Sequence, residues 1–266
     1  MLTFIIVCPL VFLAGFVDAI AGGGGLISLP AYLMTGMPVH FAIGTNKLSS
    51  AMGTVVATLK FARSGYLRLG LSIFTVIAAI LGSSTGSQLA LHVSDFYFRI
   101  ILAIVLPVTA IYLLTNKKAL GAAGFVQTGI SNRQMVIAAA ISFVIGGYDG
   151  FYGPGTGTFL ILLLTGLDHL PINVAAGTTK VINLTTNITA LAVFLFNAKV
   201  LLPLGLTAGL FSIVGNYLGA SWFKKGGRKV AKPIIIVVLV IFFCKLIVDF
   251  FKQHFGNWPM LIMDLL

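Results

Sequence analysis

Glutamate is absent from this 266-residue chain, and charge of any sign is scarce: Asp, Lys and Arg together make up 9% of residues. A soluble domain carries about a quarter charged residues, so this chain lacks the polar surface to cover a globule in water. Cysteine is limited to Cys8 and Cys244, both inside apolar runs. They read as small buried hydrophobes, which excludes a disulfide framework or thiolate metal site. His40, His92, His169 and His254 stand at the ends of apolar segments without metal-ligand spacing. No phosphate loop, paired-cysteine motif or Ser–His–Asp arrangement can be read. An enzyme, a cofactor and a metal are therefore not expected.

What is present is hydrophobic length. The chain is 58% hydrophobic with a mean hydropathy of +1.06. Apolar segments run at about 2–21, 24–36, 39–62, 69–91, 96–115, 134–152, 156–167, 172–197, 201–223 and 233–251. About 20 residues are needed to cross a bilayer as a helix, which most of these segments supply. Segments 24–36 and 156–167 fall short, and each follows a glycine cluster that interrupts the preceding helix. Ala19-Ile20-Ala21 imitates a signal-peptidase site. No basic stretch precedes it and the segment recurs later in the chain, so an uncleaved helix is expected.

The recurrence organises the chain. Gly15-Phe16-Val17-Asp18, Gly22–Gly25, Thr35-Gly36 and Gly44-Thr45-Asn46-Lys47 are followed in the same order by Gly146-Gly147-Tyr148-Asp149, Gly153-Pro154-Gly155-Thr156-Gly157, Thr165-Gly166 and Gly177-Thr178-Thr179-Lys180. Gly82–Gly86 is matched by Gly215–Gly219, and Arg99 by Lys232. The expected architecture is an all-α polytopic membrane protein of two repeats, 1–120 and 121–266, each of about five helical segments. An odd number of segments per repeat inverts the second copy relative to the first. That parity gathers Arg63, Arg68, Lys117, Lys118, Arg133, Lys224, Lys225, Arg228, Lys229 and Lys232 on one side, leaving Arg99, Lys199 and Lys252 on the other. By the positive-inside rule the first side is cytoplasmic and both termini face outward. The net charge of +11 thus reads as an orientation signal, and no nucleic-acid partner is expected.

With only six acids in the chain, Asp18, Asp95, Asp149, Asp168, Asp249 and Asp264, those inside apolar segments stand out. Asp18 and Asp149 hold equivalent places near the end of the first helix of each repeat, and Lys47 and Lys180 on the third. Charges at such depth cost at least about 2.5–3.5 kcal/mol each on insertion scales, and so face the interior and find partners. Two readings stand: Asp–Lys pairs that hold each repeat together, or lysines that meet in a central cavity and hold an anion while the aspartates position helices or loops. Coupling to proton movement through Asp18 or Asp149 is a further option that nothing in the sequence demands. Helices restarting after Gly22, Gly23, Gly24 and Gly25, and after Gly153 and Gly155 at Thr156 and Gly157, would aim unpaired N–H groups and the positive dipole end at that anion. Thr45, Asn46, Ser50 and Thr54, with Thr178, Thr179, Asn183, Thr186 and Asn187, surround the lysines with neutral donors. Asn46, Ser50 and Thr54 form one helical stripe, and Thr179, Asn183 and Asn187 another. Gln88, Asn216 and Tyr217 are weaker candidates. Lys245 and Asp249 suit a local ion pair.

Gly15-Phe16-Val17-Asp18-Ala19-Ile20-Ala21-Gly22-Gly23-Gly24-Gly25, then Gly44-Thr45-Asn46-Lys47-Leu48, with their echoes in the second half, resemble the sulfite exporter TauE/SafE family of membrane transporters. The resemblance covers essentially the whole chain. It implies a multi-pass permease of the plasma membrane, exporting sulfite or related organosulfur anions, with Gly22–Gly25, Asn46 and Lys47 in the family's motifs. Thr179 departs from the asparagine of the first copy, and Gly153-Pro154-Gly155-Thr156-Gly157 from its glycine run, so the half-sites need not contribute equally. Expected partners are a small sulfur-containing anion and the lipid bilayer, with a homodimer left open. An anion channel and a non-transporting scaffold or sensor remain the alternatives.

Overall fold

The computed structural model describes residues 2–94, scattered positions from 96 to 108, and 130–223. The segment at 96–115 falls only partly among them. The segment at 233–251, Arg99, Lys117, Lys118, the basic stretch 224–232, Cys244, Lys245, Asp249, Lys252 and His254 lie outside.

Among the described residues every regular element is helical: α1 (Leu2–Ala21), α2 (Gly25–Leu33), α3 (Val39–Arg63), α4 (Leu69–His92), α5 (Asn132–Phe151), α6 (Thr156–Gly166), α7 (Ile172–Phe196) and α8 (Leu202–Trp222). Five of these, α1, α4, α5, α7 and α8, are long and apolar enough to cross a membrane. With 25 residues, α3 has the length but carries the polar run Thr45 to Ser50, which lowers its hydropathy. The 9 residues of α2 and 11 of α6 rise only about 14–17 Å at 1.5 Å per residue. That is roughly half of a 30 Å hydrocarbon core, so neither crosses by itself.

Local chemistry sets these boundaries. α3 and α7 start directly after Pro38 and Pro171, which have extended ψ values of 144° and 139° and stand just outside the helix. α5 starts on a capping box, in which the Ser131 hydroxyl accepts from the Gln134 N–H and the Gln134 side chain accepts from the Ser131 N–H. α1 stops where Gly22 turns to a φ of +75°, and α5 where Gly153 turns to +99°, a left-handed backbone that favours glycine.

The most extensive helix packings are α4 on α5, α1 on α8 and α3 on α8, with α3 on α7 and α4 on α7 next. Helices before residue 94 therefore pack chiefly on helices after residue 130. Small residues make this possible. A Cβ on Gly82 or Gly86 would overlap the carbonyls of Phe143 and Gly147, and one on Gly215 or Gly219 those of Phe12 and Phe16. The two matched glycine motifs thus bring α4 against α5 and α8 against α1 with backbones in contact, the close approach on which helix association in lipid relies. Outward stripes are apolar, including Ile73, Phe74, Ile77 and Ile80 on α4 and Leu206, Leu210, Phe211 and Val214 on α8. Such continuous exposure suits hydrocarbon rather than water.

The two ends of the bundle are distinguished by contacts. Phe61 and Tyr66 pack on Phe223, and the Tyr66 carbonyl lies against Gly177 near the start of α7. This end holds Arg63 and Arg68, and also Arg133, whose neighbour Gln134 donates through Nε2 to the Asp168 carbonyl at 3.1 Å. At the other end the Lys199 carbonyl lies against Gly44, its ammonium 5.3 Å from the Phe41 ring centre.

Candidate functional site

Along α7 the buried side chains change character twice. Val174 and Ala175 belong to an apolar cluster shared with α4, α5 and α6; Thr178, Thr179, Lys180, Asn183, Thr186 and Asn187 follow; Ala190 and Phe194 then enter a second cluster shared with α1, α2 and α3. The polar band therefore lies between two apolar layers, at mid-depth in the bundle. Along α3, Val39, Ala42 and Ile43 give way in the same manner to Thr45, Asn46 and Lys47.

In this band is a cavity of about 40 Å³, counted as space open to the centre of a water molecule. One water needs about 10–15 Å³ on that measure, so the cavity has room for about three waters or one small oxyanion. The lining brings together residues from both halves: Asp18, Gly22, Gly24, Gly25, Asn46, Lys47 and Ser50 with Asp149, Gly153, Thr156, Gly157 and Asn183. Thr54 and Asn187 extend the two stripes onto its wall, as expected of their spacing. Seven expected residues do not line it. Gly23, Gly155 and Lys180 lie behind the wall; Thr45 accepts from the Leu201 N–H at 3.0 Å; Thr186 Oγ1 donates to the Asn183 carbonyl at 3.1 Å; and Thr178 and Thr179 are buried with no partner for either hydroxyl among the described residues. Ser28 and Ser212 line the cavity without having been singled out, and Asn216, a weaker candidate, joins them. Gln88 and Tyr217 are exposed. Ser28 and Ser212 carried no signal beyond a hydroxyl in an apolar run, a pattern that packing between membrane helices also produces.

The breaks between α1 and α2 and between α5 and α6 meet each other. A Cβ on Gly22 would overlap the backbone of Gly157, and Thr158 Oγ1 donates to the Ala21 carbonyl at 2.7 Å. Among the described residues no acceptor takes the N–H groups of Gly24, Gly25 or Gly157. Two short helices thus point donor-rich N-termini into one polar space, an arrangement suited to an anion.

Four charges sit in this band, and they pair across the halves. Lys47 Nζ donates to Asp149 Oδ2 at 2.9 Å, and Lys180 Nζ to Asp18 Oδ2 at 2.7 Å. Each pair joins a helix before residue 94 to one after residue 130, rather than closing within one half. The pairs differ in detail. Thr156 Oγ1 lies 2.8 Å from Asp149 Oδ1 and 2.6 Å from the Gly153 carbonyl and shares its proton between them, and among the described residues Lys47 has no second partner. Lys180 is held twice, by Asp18 Oδ2 and by the Asp18 carbonyl at 2.6 Å. Among the described residues no three of His, Cys, Asp and Glu gather as metal ligands would.

The glycine-broken helices and the Asn-Lys motif point to the family suspected from the sequence, and a family model decides it. The model for sulfite exporter TauE/SafE matches residues 7–246. The chain belongs to the TauE/SafE family. It is 35% identical over 92% of its length to a "Probable membrane transporter protein" of Haemophilus influenzae, covering 94% of that protein. Similar likenesses, 34% and 31% identical, extend to "Probable membrane transporter protein ORF9" of Sinorhizobium sp and "Probable membrane transporter protein YfcA" of Escherichia coli K12, each covered over 90% of its length. No solved structure matches. Membership in the TauE/SafE family makes this a membrane transporter, a role in keeping with the five membrane-length apolar helices.

Proposed function

We propose that the protein is a secondary transporter that exports a small sulfur-containing anion, sulfite or an organosulfonate, across the plasma membrane, with its site in the mid-depth cavity. The observation that carries this reading is the convergence of two half-length helices, with free N–H groups, on a cavity whose wall includes the Lys47 ammonium. Backbone N–H groups, a lysine, the amides of Asn46 and Asn183 and the hydroxyl of Ser50 are donors on this wall, which is what an oxyanion with three accepting oxygens requires. The family description supports the sulfur chemistry.

Inverted repeats divided near residue 120 are supported by helix lengths of 20, 9, 25 and 24 residues followed by 20, 11, 25 and 21. They are supported too by the exchange of partners, α1 on α8 and α5 on α4. In this reading Arg63, Arg68 and Arg133 mark the cytoplasmic end, Lys199 the outer end, and the termini lie outside. Alternating access then separates groups of helices drawn from both repeats, because the helices of one repeat are packed into the other.

The test is uptake and efflux by purified protein in liposomes with sulfite, a series of sulfonates, sulfate and carboxylates. Saturable flux of sulfite or a sulfonate is expected, with trans-stimulation by the same anion. Flux that never saturates identifies a channel. A panel in which nothing moves or raises the thermal stability of the protein overturns the anion reading in favour of a scaffold or sensor.

A further inference from the structure

The cavity wall carries one feature that opposes an anion. Asp18 lines it, its side chain is 18% exposed where that of Asp149 is 7%, and its Oδ1 has no hydrogen-bond partner among the described residues. The sequence explains why the two aspartates differ. Thr156, seven residues after Asp149, gives its hydroxyl to Asp149 Oδ1. Seven residues after Asp18 stands Gly25, which has no side chain to give. Asp149 is therefore engaged on both oxygens, by Thr156 on one and Lys47 on the other, while Asp18, on the cavity wall, keeps a bare carboxylate oxygen.

Charge balance turns this difference into chemistry. Lys47 and Lys180 are offset by Asp149 and Asp18, so the site is neutral before any substrate enters. The charged groups facing Asp18 are Lys180 from α7, with Lys47 from α3 and Asp149 from α5 on the same cavity; α2, α6 and α8 carry no acidic or basic side chain. A monoanion entering this space would leave one uncompensated negative charge at low dielectric, beside a bare carboxylate oxygen. One proton on Asp18 Oδ1 removes both difficulties. It restores neutrality, and the new O–H becomes a donor aimed at the anion.

Resting on the transport reading, we infer that Asp18 is the proton-coupling group of this site and that one proton crosses with each monoanion. The proton comes from the water on the entry side, forms an O–H bond at Oδ1, weakens the hold of Asp18 on Lys180, and leaves to water on the exit side. No net charge moves in the cycle, and export proceeds whenever the outward gradient of the anion exceeds the inward gradient of protons. Lys47 is the lysine that faces the anion, whereas Lys180, held off the cavity by two bonds to Asp18, positions the carboxyl.

The experiment uses the full chain in liposomes, labelled sulfite as probe, and the membrane potential clamped at zero with potassium and valinomycin; protein-free vesicles supply the leak to subtract. A gradient of one pH unit, acid outside, is expected to drive sulfite accumulation toward tenfold, with acidification of the lumen when a sulfite gradient is imposed instead. Asp18→Asn is expected to exchange labelled sulfite for unlabelled sulfite yet accumulate none, while Asp149→Asn still accumulates, more slowly. If Asp18→Asn does not fold, Asp18→Asn with Lys180→Met leaves neither charge alone and is read in its place. Wild-type flux indifferent to the pH gradient overturns the proposal and leaves transport standing. So does accumulation by the Asn variant, since the proton would then ride on sulfite itself, and so does coupling lost only in Asp149→Asn. Absence of any sulfite flux in the wild type overturns the proposal and the transport reading together.

Discussion

The two ion pairs of the polar band are made from equivalent residues of the two halves, yet their surroundings have diverged. Lys47 and Asp149 are both nearly fully buried, and the Thr156 hydroxyl completes the carboxylate. Lys180 and Asp18 form the more open pair, in which the backbone carbonyl of Asp18 shares the lysine and no hydroxyl reaches the carboxylate. The cause is local: a threonine in one glycine-rich break and a glycine at the same distance in the other. Two motifs of matching order thus supply two charge pairs, and a single side chain separates a pair whose carboxylate is engaged on both oxygens from one with an unengaged acceptor.

Removing one lysine from each pair breaks this comparison most severely. Lys47→Met leaves Asp149 buried with its strongest partner gone, and uncompensated charges of this kind cost about 3–5 kcal/mol. Lys180→Met strands Asp18, which has access to the cavity and its water, so a smaller loss is expected. Thermal unfolding in detergent is expected to rank Lys47→Met below Lys180→Met. Adding Asp149→Asn to Lys47→Met is expected to recover much of the stability without recovering sulfite flux. Equal destabilisation by the two lysine changes would show that the pairs are energetically alike.

Much of the frame was legible in the sequence, for reasons tied to individual residues. The breaks at Gly22 and Gly153 could be read because a positive φ in a membrane helix leaves few choices besides glycine. The starts of α3 and α7 follow prolines, and the stripes Asn46–Ser50–Thr54 and Asn183–Asn187 follow from helical spacing. What was not legible depends on distances between segments far apart in the chain. Which aspartate faces which lysine is decided by the packing of α1 on α8 and α4 on α5, and the pattern within each half is equally consistent with closure inside it. The same limit hid the withdrawal of Lys180 from the cavity, and the contribution of Ser28 and Ser212, whose hydroxyls look alike whether they bond their own helix or face a substrate.

The turns that follow the two short helices sharpen the contrast at a second place. The chain passes from α2 to α3 through residues 34–38, which carry no charged side chain, but from α6 to α7 through 167–171, which include Asp168. Asp168 is buried, neither carboxylate oxygen has a partner among the described residues, and desolvation pushes its carboxyl up to about 7. A carboxyl whose folded-state value lies above its unfolded value binds its proton more tightly when folded. Its contribution to stability is then complete below about pH 4, the ordinary range for Asp, and is lost as pH rises through about 7. Unfolding measured between pH 5 and 8.5 (values chosen to bracket about 7) is expected to show stability falling with pH. In Asp168→Asn that slope should flatten, with the variant more stable than the parent at the alkaline end. An unchanged slope would assign the pH dependence elsewhere.

The smallest expected effect is also the most closely matched. Thr45 and Thr178 occupy the same place two residues before the lysine of each half, and both are buried. Thr45 Oγ1 accepts from the Leu201 N–H at 3.0 Å, where the chain enters α8, whereas Thr178 Oγ1 has no partner among the described residues. Valine nearly reproduces the shape of threonine, so substitution tests the hydroxyl with little change in packing. Thr45→Val strands a backbone donor and should cost about 1–3 kcal/mol. Thr178→Val removes an oxygen that is buried without compensation and should be neutral or slightly stabilising. Opposite signs in the two unfolding measurements would extend to neutral groups the divergence seen in the charged pairs. A loss at Thr178 equal to that at Thr45 would mean that the second hydroxyl has a partner after all, and that the halves are more alike in their polar band than their ion pairs suggest.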